Sequence, residues 1–374
     1  MAWKAVAGVL ILVAWAGAAR AQSEAKPRSM SIPVIVHDKH GKPLAAVDKA
    51  AMELLVDGKP AAITSLVKDA EKPLLLGMVI DTSKPQEQVV PAEKAPEKTF
   101  VDGSLGKSGD RVFVLHFDRQ IELMQDLTAD RGLLNSAIDD LQPANTEDAD
   151  ADAGSSDKDD EDHARRAKSG GERLYDAVFL ACDEILRKPV GRKVLVVVSS
   201  GLDRGSKESF ASAVEAAQRS GVAVYTIYVA GEQEKPASDR GPDSGRQRRS
   251  GGGGYPGGGG WPGGGQGGGQ GGGQGGGQGG GQTGRRSRRE PVVHEDGRKI
   301  LLELSQKTGG AMFEAKKKDE IGGLLNSITE YLQDEYLLTF EIDPLMTGEF
   351  HRVGITSRGG RDKVQAAQAF YTTH

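Results

Sequence analysis

The sequence predicts an α/β protein: a doubly wound, mostly parallel sheet with a small N-terminal β-unit and a β-rich C-terminal tail. Three observations point there. Leu74 to Ile80, Val112 to Phe117, Val194 to Val198 and Val222 to Val229 are apolar without strong alternation, as strands covered on both faces are. Amphipathic stretches at Ala129 to Leu141, Arg173 to Arg187 and Lys207 to Ser220 lie between them, and the resulting alternation of strand and helix favours parallel pairing through crossovers. Finally, 374 residues at 37% apolar and 27% charged leave roughly 270 once biased segments are removed, about two domains.

The elements follow in chain order. Met1 to Ala21 carries Lys4, an apolar run from Ala5 to Ala19 and Ala19-Arg20-Ala21, the pattern of a cleaved signal peptide. The run is shorter than the roughly twenty residues of a membrane span. The expectation is an exported chain, periplasmic or secreted, with no span in its mature part. Over residues 30–70, Ser31 to His37 is extended and β-branched, His40-Gly41-Lys42-Pro43 reads as a turn, and Asp57-Gly58 between apolar runs is a hairpin signal. Asp48 to Leu55 fits a strand or a helical turn.

The α/β domain is placed at 73–334. A helix (Gly297 to Lys307), a short strand (Ala311 to Glu314), a helix (Asp319 to Tyr331) and a strand (Glu335 to Ile342) are read as completing it. That strand stands at the border of a β-rich extension over 335–374, in which Phe350 to Thr356 and Val364 to Tyr371 read as strands. The lone Cys182 shares a helical face with Leu174, Val178 and Ile185 and is expected to be buried. One cysteine excludes an internal disulfide framework and a cysteine-based zinc site.

Two insertions interrupt the domain. Residues 145–162 are crowded with carboxylates and poor in large apolar side chains, a solvated loop. Asp148, Asp150 and Asp152 have the first spacings of a calcium loop, but Ala153 stands where that loop needs glycine. Residues 231–290 hold repeated Gly-Gly-Gly-Gln units between Arg246, Arg248, Arg249 and Arg285, Arg286, Arg288, Arg289. A coil of that length spans roughly 45 Å root-mean-square, so it can be inserted without distorting the domain. Its arginines, with Tyr255 and Trp261, suit either a flexible spacer or a contact with anionic polymers.

Strand Leu74 to Ile80 runs into Asp81-Thr82-Ser83-Lys84-Pro85, at the carboxyl edge where open α/β sheets bind ligands. This loop resembles the Asp-x-Ser-x-Ser start of the metal-ion-dependent adhesion site of von Willebrand factor A domains. The likeness extends to the exported bacterial VWFA-related family. Gly170-Gly-Glu-Arg-Leu-Tyr-Asp-Ala177 resembles its helix start, Val196-Val-Val-Ser-Ser-Gly-Leu-Asp203 its strand ending Ser-Asp-Gly-x-Asp, and Lys307-Thr-Gly-Gly-Ala-Met-Phe313 its Thr-Gly-Gly turn. Asp334-Glu-Tyr-Leu-Leu-Thr-Phe340 and the Ser31 to Val36 strand resemble its closing and opening strands. The resemblance implies a von Willebrand factor A or Rossmann-like fold that binds without catalysis. It also implies a ligand face at Asp81, Ser83, Glu172, Ser200 and Asp203, with Asp81 and Ser83 as the metal-binding pair.

Three departures matter, because the pattern has Ser at Pro85, Thr at Glu172 and Asp at Ser200. Pro85 has no side-chain oxygen and Ser200 replaces a charged ligand with a neutral one, so Mg²⁺ or Ca²⁺ is expected to bind weakly or not at all. The expected function is an exported, non-enzymatic protein-binding module for an extracytoplasmic partner. The alternative is an envelope-associated adhesion or matrix protein that contacts anionic polysaccharide through its arginine/glycine insertion.

Catalytic patterns are missing their parts. Gly106-Lys107-Ser108 ends like a phosphate-binding loop, but Val101 stands where the first glycine belongs. No Gly-x-Ser-x-Gly elbow or His-Glu-x-x-His pair occurs. His116 alternates inside a strand and is read as a packed imidazole, and Asp176 as a structural hydrogen-bonder near a helix start.

Overall fold

The computed structural model describes residues 28–68, 72–144, 172–230, 296–342, 350–360 and 362–372. The signal segment and both insertions, with all seven arginines singled out at 246–249 and 285–289, lie outside them.

The chain opens with strand β1 (Arg28–His37), then β2 (Met52–Val56), β3 (Lys59–Ala61) and β4 (Ile63–Lys68). A 3₁₀ turn at Lys49–Ala51, capped by Asp48, precedes β2, so the ambiguous Asp48 to Leu55 segment holds both readings in succession. The β2–β3 hairpin turns at Asp57 and Gly58, with φ of 51° and 77°, the conformation for which Asp-Gly is favoured. Next come β5 (Leu74–Asp81), α1 (Val90–Ser104), β6 (Arg111–Phe117), β7 (Ile121–Thr128), α2 (Arg131–Asp139) and α3 (Leu174–Leu180). α3 continues as a π-helical turn over Ala181–Ile185. They are followed by β8 (Arg192–Ser199), α4 (Phe210–Ser220), β9 (Val222–Val229), α5 (Gly297–Thr308), β10 (Met312–Ala315) and α6 (Ile321–Gln333). The chain closes with β11 (Tyr336–Ile342), β12 (Phe350–Ser357), β13 (Lys363–Ala366) and β14 (Ala369–Tyr371).

The central sheet has six strands in the order β10-β9-β8-β5-β6-β7. Every pairing is parallel except β6 with the edge strand β7. Every residue of β5 is buried, which is why its sequence shows no alternation. One face packs under α1, α2 and α6, through residues such as Leu134, Ile138, Ile321 and Ile328. The other packs under α3, α4 and α5, through Leu174, Val178, Cys182, Val214 and Leu301. The helices obey local rules: Asp130, Ser209 and Asp296 cap α2, α4 and α5 with their side chains, and Gly221 ends α4 in the left-handed conformation.

Helix α1 has no clear signal in the sequence, because its buried face consists of Val90, Glu93, Glu97, Phe100 and Val101, with Pro96 inside the helix. Two carboxyls occupy positions where the helical period would put apolar residues. Strand β7 was likewise not predicted, since its exposed edge position leaves Glu122, Leu123 and Gln125 only partly covered or exposed.

Strand β11 corrects an expectation. It does not join the α/β sheet but sits between β1 and β4 in a sheet of order β13-β1-β11-β4. The reason is visible in its pattern: Tyr336, Leu338, Phe340 and Ile342 are buried while the residues between them are less so, the alternation of a half-covered antiparallel strand. A second sheet, β14-β12-β2-β3, pairs β2 with β12. The N-terminal β-unit and the C-terminal strands, set apart in the sequence reading, are therefore interleaved in one two-sheet sandwich around Val34, Leu54, Leu338 and Phe340. A buried Arg192–Glu335 ion pair at 3.0 Å and the stacking of Arg219 on Tyr371 at 4.5 Å join the sandwich to the α/β layers.

Candidate functional site at the carboxyl edge of the sheet

Strand order reverses at β5, whose neighbours are β6 on one side and β8 on the other. The loops leaving β5 and β8 therefore diverge and open a crevice, the usual place for a ligand in such a sheet. Asp81, the last residue of β5, is 1% exposed and points its carboxylate across this gap. Its Oδ2 accepts from Ser199 Oγ at 2.7 Å and from Ser200 N at 3.3 Å, while Oδ1 accepts from Ser83 N at 3.0 Å. Burial raises the Asp81 carboxyl above its ordinary range, and these donors oppose that shift.

Thr82 fixes the loop from the other side. Its N–H donates to Phe117 O at 2.9 Å, its carbonyl accepts from Ala144 N at 2.8 Å, and its hydroxyl lies 2.8 Å from His116 Nδ1. His116 Nε2 stands 3.5 Å from Glu122. The imidazole thus braces the loop instead of packing in the core as read from sequence.

Glu172 arrives from the opposite wall, two residues before α3. It is fully buried, and neither carboxyl oxygen has a hydrogen-bond partner. Burial pushes its carboxyl up to about 7; nearby Asp81 adds to the shift and Arg204 opposes it. Arg204 Nε lies 3.6 Å from Glu172 Oε2, and the Arg204 and Gly205 N–H groups donate to Glu172 O at 2.9 and 3.1 Å. Asp203 is held by other partners, since Oδ2 accepts from Tyr175 N at 2.9 Å and Ser206 Oγ at 2.5 Å. Burial raises its carboxyl despite them. Asp176 accepts from Lys207 N and Glu208 N at 2.9 and 2.7 Å, the structural role expected of it.

The structure thus gathers Asp81, Ser83 and Ser200 through direct hydrogen bonds and sets Glu172 within electrostatic reach, while the Asp203 carboxylate is spent on the start of α3 and its own loop. Ser199, not singled out in the sequence, makes the shortest bond to Asp81. The Ser-Ser pair in Val196-Val-Val-Ser-Ser-Gly was the available signal, but sequence does not say which hydroxyl turns inward. The register of β5 on β8 fixes that choice: Ile80 pairs with Val198, so Asp81 and Ser199 come next to each other on one face; beyond them Gly201 has φ of 73°, and a Cβ there would lie 2.1 Å from Gly297 O. Glu93 and Glu97, beneath the loop, were also missed. Burial raises both carboxyls, Glu93 further through Glu97 and Asp81.

A hard divalent ion takes six or more oxygen ligands at Ca²⁺ and six at Mg²⁺. Here both Asp81 oxygens already accept hydrogen bonds, Pro85 offers no oxygen, and the unpartnered side-chain oxygens at the loop are Ser83 Oγ and the two of Glu172. Among the described residues no group of three or more His, Cys, Asp or Glu is arranged to hold a metal. With a guanidinium already beside Glu172, this donor set does not fit such an ion. The Gly106-Lys107-Ser108 segment lies at the opposite edge, before β6, where Lys107 N is bound to Asp110 Oδ2 at 2.7 Å.

No family model and no curated protein matches the chain in sequence. Among solved structures, an aerotolerance-related membrane protein of Bacteroides fragilis aligns at 12% identity and TM-score 0.38, over 68% of this chain and 97% of that one. Proximal thread matrix protein 1 from the mussel byssus, with a zinc-occupied MIDAS motif, aligns at 12% and 0.41, over 73% and 48%. The vWF domain of the pili tip protein Mfa5 from Porphyromonas gingivalis aligns at 17% and 0.26, over 35% and 39%. At these scores none of them bears on what this chain binds. The antiparallel edge strand, the reversal at β5 and the Asp-Thr-Ser loop at that reversal define an open, doubly wound and mostly parallel α/β sheet with its crevice at the carboxyl edge.

Proposed function

We propose that this chain is an exported, non-enzymatic protein-interaction module that presents the loops after β5 and β8 to a protein partner. The observation that carries the reading is the Ser199–Asp81–Ser83 hydrogen-bond set, which locks the crevice at the strand reversal as a rigid surface. A preorganised loop costs less to order on binding. The hydroxyls bordering the loop are tied into its bracing: Ser199 Oγ donates to Asp81 and the Thr82 hydroxyl lies 2.8 Å from His116 Nδ1. Among the described residues no helix is long and apolar enough to cross a membrane.

Site-specific photo-cross-linking tests the reading. A photoreactive residue replacing exposed Lys84, beside the loop, should trap a partner in the producing cell. The same residue replacing exposed Lys107, at the opposite edge, should not. Equal yields from both positions would remove the assignment of this face.

A further inference from the structure

We propose that Glu93 and Glu97 form a proton-held latch on the crevice loop. While the pair is neutral the first two turns of α1 stay seated on the sheet, and when it ionises they lift away and release the loop that borders the crevice. The inference adds a regulation to the binding face proposed above, and rests on that reading only for its effect on a partner.

Four observations carry it. First, Glu93 and Glu97 stand one helical turn apart on the buried face of α1, and Glu93 Oε2 and both Glu97 oxygens have no hydrogen-bond partner. Two such carboxyls in an apolar setting cannot both carry charge without a large cost. Second, the neighbouring cations are engaged elsewhere. Lys94 and Lys98 turn to α2, donating to Asp139 O and Oδ1 at 2.7 and 2.6 Å; Arg131 of α2 meets Asp102 at 3.7 Å, and Lys318, before α6, donates to Gln88 O at 3.4 Å. The core residues of α6 are apolar, and the charged group of β5 that faces the pair is Asp81, another carboxyl.

Third, this end of α1 is lightly tied. Val89 at its N-cap makes no side-chain cap bond, and Pro96 inside the helix has no N–H to give to Ala92 O. Beyond the proline, buried Phe100 and Val101 hold the remainder of the helix. Fourth, loop and helix are one run of turns: Gln86 N donates to Ser83 O and Val89 N to Gln86 O, both at 2.8 Å, and Glu93 N to Val89 O at 3.1 Å. Lifting the helix start therefore pulls on Ser83 to Val89. Burial pushes the Glu97 carboxyl up to about 8 and raises Glu93 well above its ordinary range, whereas exposed glutamates ionise near about 4.3. The seat is accordingly full in acid and is lost as pH rises through the folded value.

Amide hydrogen exchange of the full chain at about pH 5.5 and about pH 8.5, corrected for the intrinsic rate at each, tests this without a partner. Between those values the amides of Ala92 to Ala95 and Glu97 should lose about a hundredfold in protection. That is the change given by one carboxyl moving from about 8 to the ordinary glutamate range on opening. The Gln86 and Val89 amides should lose protection with them. At the higher pH this exchange should stay constant in low urea, while β8 exchanges more slowly and with a steep urea dependence, which separates opening of one part from unfolding of the whole. Glu93→Gln/Glu97→Gln should flatten the pH dependence, and Glu97→Met, apolar and similar in volume, should remove most of it without a buried amide. Equal exchange and urea dependence in α1 and β8, an undiminished loss in both variants, or a helix that opens while Gln86 and Val89 stay protected would overturn the proposal. The binding face is judged separately, by the cross-linking yields from positions 84 and 107, so each idea can fail alone.

Discussion

Glu97 sits on the core face of α1 with neither carboxyl oxygen hydrogen-bonded, and Glu93 lies one turn before it, also buried. Carboxyls raised by burial remain neutral in the fold while they ionise in the unfolded chain. Their contribution to stability is full below the ordinary glutamate range of about 4.3 and is lost as pH rises through the raised folded value. Glu172, pushed up to about 7, acts in the same direction. The protein should therefore lose stability from weakly acidic to mildly alkaline pH. Glu97→Gln should flatten that loss, making the chain more stable than wild type by about 2 kcal/mol near pH 8 and nearly unchanged near pH 4, as urea unfolding at the two pH values would register. Asp81→Ala works oppositely: it strands the Ser83 and Ser200 N–H groups and the Ser199 hydroxyl, and should cost about 3 kcal/mol in the same assay.

Among elements, the contact between the end of β8 and the start of α5 leaves no room for a side chain. Gly201 and Gly297 approach so closely that a Cβ on Gly201 would meet backbone carbonyl oxygen, and φ of 73° disfavours any side chain there. Gly201→Ala should lower stability by about 3 kcal/mol and shift Ser200 from Asp81, detectable as a lower melting temperature and faster amide exchange at residue 200. Helix α1 teaches a different lesson. Its first and last turns are ordinary, but Glu93 and Glu97 on the buried face erase the apolar period by which a helix is recognised. A reader of sequence sees charge and proline and infers a loop; only the packing of Val90, Phe100 and Val101 under the sheet shows that the carboxyls were carried inside with them.

For the whole molecule, the α/β layers and the sandwich share a buried link, Arg192 with Glu335, in which Arg192 also donates to Leu332 O at 2.8 Å. Removing one partner leaves the other charged and desolvated. Glu335→Gln should cost about 3 kcal/mol, and Arg192→Met with Glu335→Leu should regain most of it. Calorimetry is expected to show the described fold melting in one transition in both. Separate melting of sandwich and α/β layers in the wild type would contradict the link.

The sequence by itself determined the strands β5, β6, β8 and β9, the helices α2, α3 and α4 and the position of the Asp81 loop. Those signals are local: a fully covered strand must be continuously apolar, and a capped amphipathic helix declares its own ends. It also located Glu172 and Ser200 on the rim, through motif likeness. Tertiary structure alone decided that β11 pairs with β1 some three hundred residues away, because an alternating strand fits many partners and alternation does not name one. It also decided that Ser199 and not Ser200 turns its hydroxyl to Asp81, and that Arg204 meets Glu172. Such contacts arise where separate loops converge, and the convergence is set by the order of strands in the sheet, which no single segment encodes.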